Sequence, residues 1–228
     1  LCELMHSPLI PAPSRIFLAL IDIGSDPDFP DHLFASLFFT IKAMMISIFI
    51  TMLIVYSSTI PAFRPIALFV SKLRYLTLTG LIFLFIFLSG GNIADVKLNL
   101  LIFGIVPFFV TSFYAVVRDI PQQQIDKAFV NKLNRWETLW RVVVVGKAES
   151  LWEVMKQNFA ISWLMITMVE GQAMNEGGVG TLIIRGNKTF QMPYVLALLV
   201  IVLVLGIVFD IALSKARLFL YRHLPKKR

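Results

Sequence analysis

The sequence predicts an all-α, polytopic membrane protein, and three observations carry that prediction. Hydrophobic residues make up 57% of the 228-residue chain and the mean hydropathy is +0.78, more apolar than soluble domains normally are. Four runs contain no charged residue: Ala43–Phe63, Tyr75–Ala94, Leu98–Val117 and Thr189–Phe209, each 20 or 21 residues long. As helices, these runs are long enough to cross a hydrocarbon core of about 30 Å. The third observation is an uneven distribution of basic charge, which orients the spans.

In chain order, residues 1–32 are rich in proline, with Pro8, Pro11, Pro13, Pro27 and Pro30, and read as an extracytoplasmic segment. Within it a short helix is expected over Arg15–Ile23, capped at Ser14. The chain starts with Leu and lacks a charged-then-apolar signal pattern, so a sixth, N-terminal membrane helix is expected ahead of it. The transmembrane domain is expected over residues 33–213. Its first span covers about Leu33–Tyr56 and contains Lys42, a charge that either snorkels or faces another helix. A turn with Pro61 and Pro65 leads to a span ending near Leu88, and Gly90-Gly91-Asn92 marks the next turn. The Leu98–Val117 span holds Pro107, which removes a backbone hydrogen bond inside the helix. A fifth charge-free run, Gln157–Val169, has 13 residues and becomes a span of about Asn158–Ala173 if Glu170 is tolerated near its end. Residues 171–189 read as a Gly-rich outer loop. The final span is expected over Tyr194–Leu213, with Asp210 near its inner end, followed by a basic tail, 214–228.

Between spans lies the one long polar interruption, residues 118–156. Ile125, Ala128, Phe129, Trp136, Leu139, Trp140 and Val143 recur in it at helical spacing, so one face is apolar and the other charged. Such a segment is either an amphipathic helix pair offered to a soluble partner or a hairpin lying at the lipid interface. With this segment cytoplasmic, alternation puts Ser58–Arg74 and the tail on the same side. Those three regions hold 16 of the 21 lysines and arginines. Asp22, Asp26, Asp28 and Asp31 lie on the opposite side. The formal charge of +7 is therefore the positive-inside signature and not a nucleic-acid footprint.

Chemistry-bearing motifs are sparse. The Gly180…Gly186-Asn187-Lys188-Thr189 stretch has the wrong spacing for a phosphate loop and no preceding strand. His6, His32 and His223 are scattered, and His32 beside Asp31 reads as a solvated loop pair. Cys2 is the sole cysteine, so neither an internal disulfide nor a cysteine zinc site can form. An intramembrane acid is a functional candidate by default, which singles out Glu170; Asn175 and Lys42 join it as candidate pathway residues.

Several stretches together resemble the inner-membrane permease subunit of type I ABC importers, in the branch serving nitrate, sulfonate, taurine and bicarbonate. SPLIPAPSRIFLAL resembles that branch's outer Pro-Ser-Pro segment, and HLFASLFFT the start of its second span. DKAFVNKLNRW followed by WRVVVV is similar to the family's E-A-A-x-x-x-G coupling loop and its downstream I-x-L-P. EGGVGTLI resembles the short Gly-rich outer loop. Asp126 stands for the motif's Glu and Ala128 for its second Ala, while Lys127 replaces the first Ala and Lys132 its Gly. Val142 and Val144 stand for the Ile and Leu, and Val145 replaces the Pro. Asn134, tolerant of the left-handed region, is expected to make the turn that the missing glycine would have made.

The resemblance implies a permease in the bacterial inner membrane, paired with a second permease copy as a homodimer. It implies an ABC ATPase subunit carrying ATP and Mg, an extracytoplasmic substrate-binding protein, and no cofactor or catalytic residue on this chain. Phe129 and Trp136 would anchor the coupling helix in the ATPase groove, with Asp126, Lys132 and Arg135 fixing its orientation. Lipid is the remaining partner. The competing readings are a membrane scaffold that recruits a soluble protein through the central segment, and a membrane-embedded enzyme using Glu170 or Asp210.

Overall fold

In the computed structural model, the structure describes residues 11–121, 123–124, 127, 130, 134–172 and 177–220. Among these the regular structure is entirely helical, in agreement with the predicted class. Eight helices of eight or more residues are described: α1 Pro13–Ser25, α2 Phe29–Ser57, α3 Arg64–Lys72, α4 Leu78–Leu88, α5 Ile93–Arg118, α6 Ala148–Gln172, α7 Val179–Lys188 and α8 Met192–Leu220.

Helix α1 starts earlier than expected. Ala12 occupies the cap in an extended conformation with no side-chain bond, and the ring of Pro13 starts the first turn. Proline suits that place because the amide hydrogen it lacks would have been unpaired there anyway. Ser14 is thus inside the helix and caps nothing.

Three helices are long and apolar enough to cross a membrane: α2, α5 and α8. A fourth exists if Pro61–Tyr75 and Leu78–Leu88 form one broken span. The five spans expected from charge-free runs are therefore not all continuous helices. Helix α4 has 11 residues, about 16 Å at 1.5 Å per residue, little more than half the hydrocarbon thickness. It ends at Gly90 and Gly91, whose positive φ values of 60° and 84° only glycine adopts cheaply. Helix α6 has the length, but Lys156, Gln157, Asn158 and Glu170 dilute its apolar character. The expected turn around Pro61 and Pro65 is itself helical, a 3₁₀ turn Pro61–Phe63 running into α3.

Helix α2 shows why a membrane helix need not hide its apolar side. Phe34, Phe38, Ile41, Met45, Phe49 and Leu53 are exposed at spacings of three and four, whereas Ser36, Thr40, Ala43, Ser47 and Thr51 are buried. Small residues let neighbouring backbones approach; the Ser36 hydroxyl reaches Glu170 and that of Thr40 the Ser36 carbonyl, while the large apolar side chains are left on the outer face.

The chain divides into two compact units. The first comprises 1–43, 78–101 and 162–209. Its core joins Ile23 of α1, Val179 and Leu182 of α7, and Ala197 and Leu198 of α8, with Leu20, Leu33 and Ile201 packed around them. Gly186 makes this packing close: a Cβ there would come within 2.7 Å of the Val195 side chain. Trp163 donates its indole N–H to the Val202 carbonyl at 3.1 Å.

The second unit comprises 44–77, 102–161 and 210–228. Ile105, Phe109, Val110 and Phe113 of α5 are buried in it, and Phe109 and Phe113 meet edge to face with centroids 5.6 Å apart. Helix α5 continues through Pro107, whose carbonyl accepts from the Thr111 hydroxyl at 2.7 Å. A polar seam joins the start of α6 to the end of α8. The Trp152 indole donates to the Leu213 carbonyl at 3.1 Å, Arg217 pairs with Glu153, and Lys156 lies 3.5 Å from both Glu153 and Asp210. These charges are partly exposed, so Glu153→Gln is expected to cost no more than about 1 kcal/mol of stability. Thermal unfolding in detergent checks that value.

The central segment is only partly described. Asn134 opens a single helical turn, Arg135–Thr138, with its own N–H bonded to the Glu137 carboxylate at 3.0 Å. That is the return half of a capping box. Asn134 does not take the left-handed conformation expected of it; among the described non-glycine residues only Phe190 has positive φ. A π-helix, Leu139–Val145, follows and closes where the Gly146 N–H reaches the Arg141 carbonyl at 3.0 Å. Helix α6 begins at Ala148, so the last part of the expected 118–156 loop is helix, and α8 likewise takes the first part of the expected tail.

Candidate functional site

The most concentrated polar chemistry lies inside the first unit, around Glu170. This carboxylate and the ammonium of Lys97 are both completely buried, with Lys97 Nζ 3.3 Å from Glu170 Oε1. Lys97 sits one turn into α5 and Glu170 near the end of α6. Burying either charge alone would cost several kcal/mol, so each requires the other. The Lys97 ammonium also lies 4.4 Å from the centre of the Phe39 ring on α2, a cation–π contact that replaces part of the lost hydration.

Glu170 is bound further from α2 and α7. The Ser36 hydroxyl is 2.8 Å from both carboxylate oxygens and donates its proton to them. The same hydroxyl oxygen accepts the Val179 N–H at 2.9 Å. The Gly180 N–H donates directly to Glu170 Oε2 at 3.0 Å. These are N–H groups of the first turn of α7, which have no partners within their own helix. A carboxylate there also complements the positive end of the helix dipole. The His32 ring completes the arrangement: its Nδ1 accepts the Gly178 N–H at 3.0 Å, so Nδ1 is the nitrogen without a proton. The Thr181 hydroxyl lies 3.1 Å from the Glu170 carbonyl and 3.0 Å from that of Gly177.

Glycine is required where α7 begins. Gly178 caps the helix at φ 106° and ψ 162°, and a Cβ there would run into the Glu170 carboxylate. A Cβ on Gly180 would strike the Thr167 carbonyl and come within 2.8 Å of Glu170 Cβ. The glycines of EGGVG thus let the backbone approach until its N–H groups touch the acid. Ser36→Ala removes one charge-assisted bond from the carboxylate and the hydroxyl oxygen that accepts from Val179. It is expected to lower stability by about 1.5–3 kcal/mol, measured as the shift in thermal unfolding against the parent chain.

The site gathers few of the residues singled out in the sequence. Glu170 is at its centre. Lys42 is exposed on α2 and in no ion pair among the described residues. Asn175, Asp126, Ala128, Phe129 and Lys132 lie outside the described residues, and Arg135 and Trp136 fall in the single turn before the π-helix. Asp210 is more than half exposed beside Lys156. His32 lies half-buried in α2, its ring bonded to the Gly178 N–H at the edge of the array rather than in a loop pair with Asp31, and the second half of the expected Gly-rich loop is helix α7. Lys97 and Ser36 were not anticipated. The available signal was that Lys97 and Glu170 are opposite charges that each border an apolar run, the one that begins at Leu98 and the one that ends at Val169.

No protein-family model and no curated protein matches this chain.

Proposed function

We propose that this chain is the transmembrane permease subunit of an ABC importer for a small oxyanion such as nitrate, a sulfonate, taurine or bicarbonate. The observation that carries this reading is the order of features along the chain. A proline-punctuated segment precedes the first span, an Asp126-to-Trp136 coupling-like motif follows α5, and a glycine-rich turn follows α6. In this reading two permease copies form the pathway in the bacterial inner membrane, and a binding protein delivers substrate from outside. Separate ATPase subunits bind ATP and Mg and receive the central segment in a surface groove, with Phe129 and Trp136 as apolar anchors. Asp126, Lys132 and Arg135 set the orientation of that contact, and Ala128 stands at the motif's second Ala. ATP binding on the partner then biases two conformations of the permease.

The Lys97–Glu170 array fits a structural part in that cycle. A buried ion pair with no net charge, its carboxylate hydrogen-bonded by Ser36 and Gly180, ties the glycine-rich turn to α2, α5 and α6, so the turn moves with the helices that hold it. The residues facing the pathway are then others. The test is affinity purification of the tagged chain from its native membrane, comparing the parent with an Asp126→Lys, Trp136→Ala variant. Recovery of an ATPase with the parent and its loss with the variant, both chains eluting as folded species in detergent, is the expected result. Recovery of a different soluble protein at the central segment would favour a membrane scaffold instead.

A further inference from the structure

The segment from Ile60 to Leu76 carries a surface that the permease reading leaves unused. It consists of the 3₁₀ turn Pro61–Phe63, helix α3 and a second 3₁₀ turn, Leu73–Tyr75. Ala67 is the one fully buried residue of α3, and Val70 and Ser71, half-buried on the same face, complete the side on which the helix rests; Arg64, Ile66, Leu68, Phe69 and Lys72 are exposed. Ile60, Phe63, Ile66, Leu68, Phe69, Tyr75 and Leu76 are all exposed, Phe69 at 66%.

These side chains are ordered around the helix. Ile66 and Phe69, three apart, share one stripe. Arg64, Leu68 and Lys72, each four apart, share another, with Lys72 about 60° around the helix from Phe69 at 3.6 residues per turn. Arg64 and Lys72 are exposed and in no ion pair among the described residues. The Arg74 guanidinium lies 5.0 Å from the centre of the Tyr75 ring and donates to its hydroxyl at 3.0 Å, which holds cation and aromatic ring together. No aspartate or glutamate occurs between Asp31 and Asp95, so nothing acidic on this stretch offsets the three basic groups.

A basic stripe beside an apolar stripe, closed by an Arg–Tyr pair, is the pattern of a helix lying in the membrane interface. We infer that residues 60–76 form an interfacial anchor that recognises anionic phospholipid headgroups. Arg64, Lys72 and Arg74 meet the phosphates while Ile66 and Phe69 enter the acyl boundary. Charge complementarity selects this occupant over an apolar protein surface, for which the exposed Arg64 and Lys72, and the Arg74 beside them, would have to be stripped of water.

The test places an environment-sensitive fluorophore at position 69 of the full chain carrying Cys2→Ser and Phe69→Cys. The chain is reconstituted in phosphatidylcholine alone or in phosphatidylcholine with phosphatidylglycerol, and quenching by neutral acrylamide is measured. Phosphatidylglycerol is expected to protect the label. Each neutralisation among Arg64→Gln, Lys72→Gln and Arg74→Gln should shift the docked-to-undocked ratio about fivefold, equivalent to about 1 kcal/mol per basic residue at an anionic surface. The charge-keeping Arg64→Lys, Arg74→Lys chain should retain the protection, which separates lost charge from lost fold. Equal quenching in the two lipids would overturn the inference. So would a label already protected in detergent and cross-linking at position 69 to a second copy, which would make the surface a protein interface.

Discussion

Lys97→Met is expected to lower the stability of the chain by about 3–5 kcal/mol, the cost of leaving a buried carboxylate without its counter-charge. Glu170 is completely buried, so water cannot take the place of the ammonium. The loss should be largely reversed in Lys97→Met, Glu170→Gln. There the amide oxygen can still accept from Ser36 and Gly180, and no uncompensated charge remains. Thermal or denaturant unfolding in detergent, followed by tryptophan fluorescence, reads both variants. A single variant within about 1 kcal/mol of the parent would mean that exposed surface pairs of that order describe this contact better than a buried one.

Gly178→Ala is expected to be nearly as damaging, for a different reason. Its φ of 106° with ψ of 162° lies in a region that residues with a Cβ reach only at about 1–3 kcal/mol. The added methyl would also press on the Glu170 carboxylate, and overpacking of that kind costs about 1–3 kcal/mol more. Gly90→Ala supplies the internal comparison. Gly90 has φ of 60°, but a Cβ there meets nothing within 4 Å, so only the left-handed penalty of about 1–2 kcal/mol applies. A difference between the two variants in unfolding midpoint isolates the steric contribution of the Glu170 seat. Equal losses would show that backbone strain alone accounts for the effect.

The long helices were legible in the sequence because their evidence is cumulative. Helices α5 and α8 each rest on some twenty consecutive residues without a charge, and α2 on an apolar stretch interrupted only by Lys42; one unusual residue such as Pro107 does not outweigh that. Hydropathy was a poorer guide where backbone geometry decides. The Tyr75–Ala94 run is as apolar as the others, yet it is broken before Leu78 and ends at two left-handed glycines. Composition also misread α7. Glycine normally marks loops, but Gly178 and Gly180 serve close approach, and the residues they flank are helical because Glu170 and Ser36 bind their first-turn N–H groups. That interaction joins residues 134 positions apart, which no local pattern encodes. Lys97 was overlooked for a related reason. As the boundary of a charge-free run it read as the place where a span stops, whereas burial opposite Glu170 makes it interior.

The central segment differs again. Its amphipathic spacing was evident, but the residues that would touch an ATPase, Asp126, Phe129 and Lys132 among them, lie outside the described residues. Its described part contributes a capped turn and a π-helix in place of the left-handed Asn134 that the departures from the permease motif suggested. π-helical turns occur mostly as short interruptions, often at functional positions, and here one stands between the coupling-like motif and α6.

The most direct measurement is ATP-driven transport by the chain with its co-purified partner in sealed proteoliposomes. ATP hydrolysis on the partner should rise when an oxyanion substrate and its binding protein are present together, with labelled oxyanion accumulating inside. Both signals should vanish with Asp126→Lys, Trp136→Ala. A partner that hydrolyses no ATP, or hydrolysis indifferent to every oxyanion and to that variant, would contradict the importer assignment.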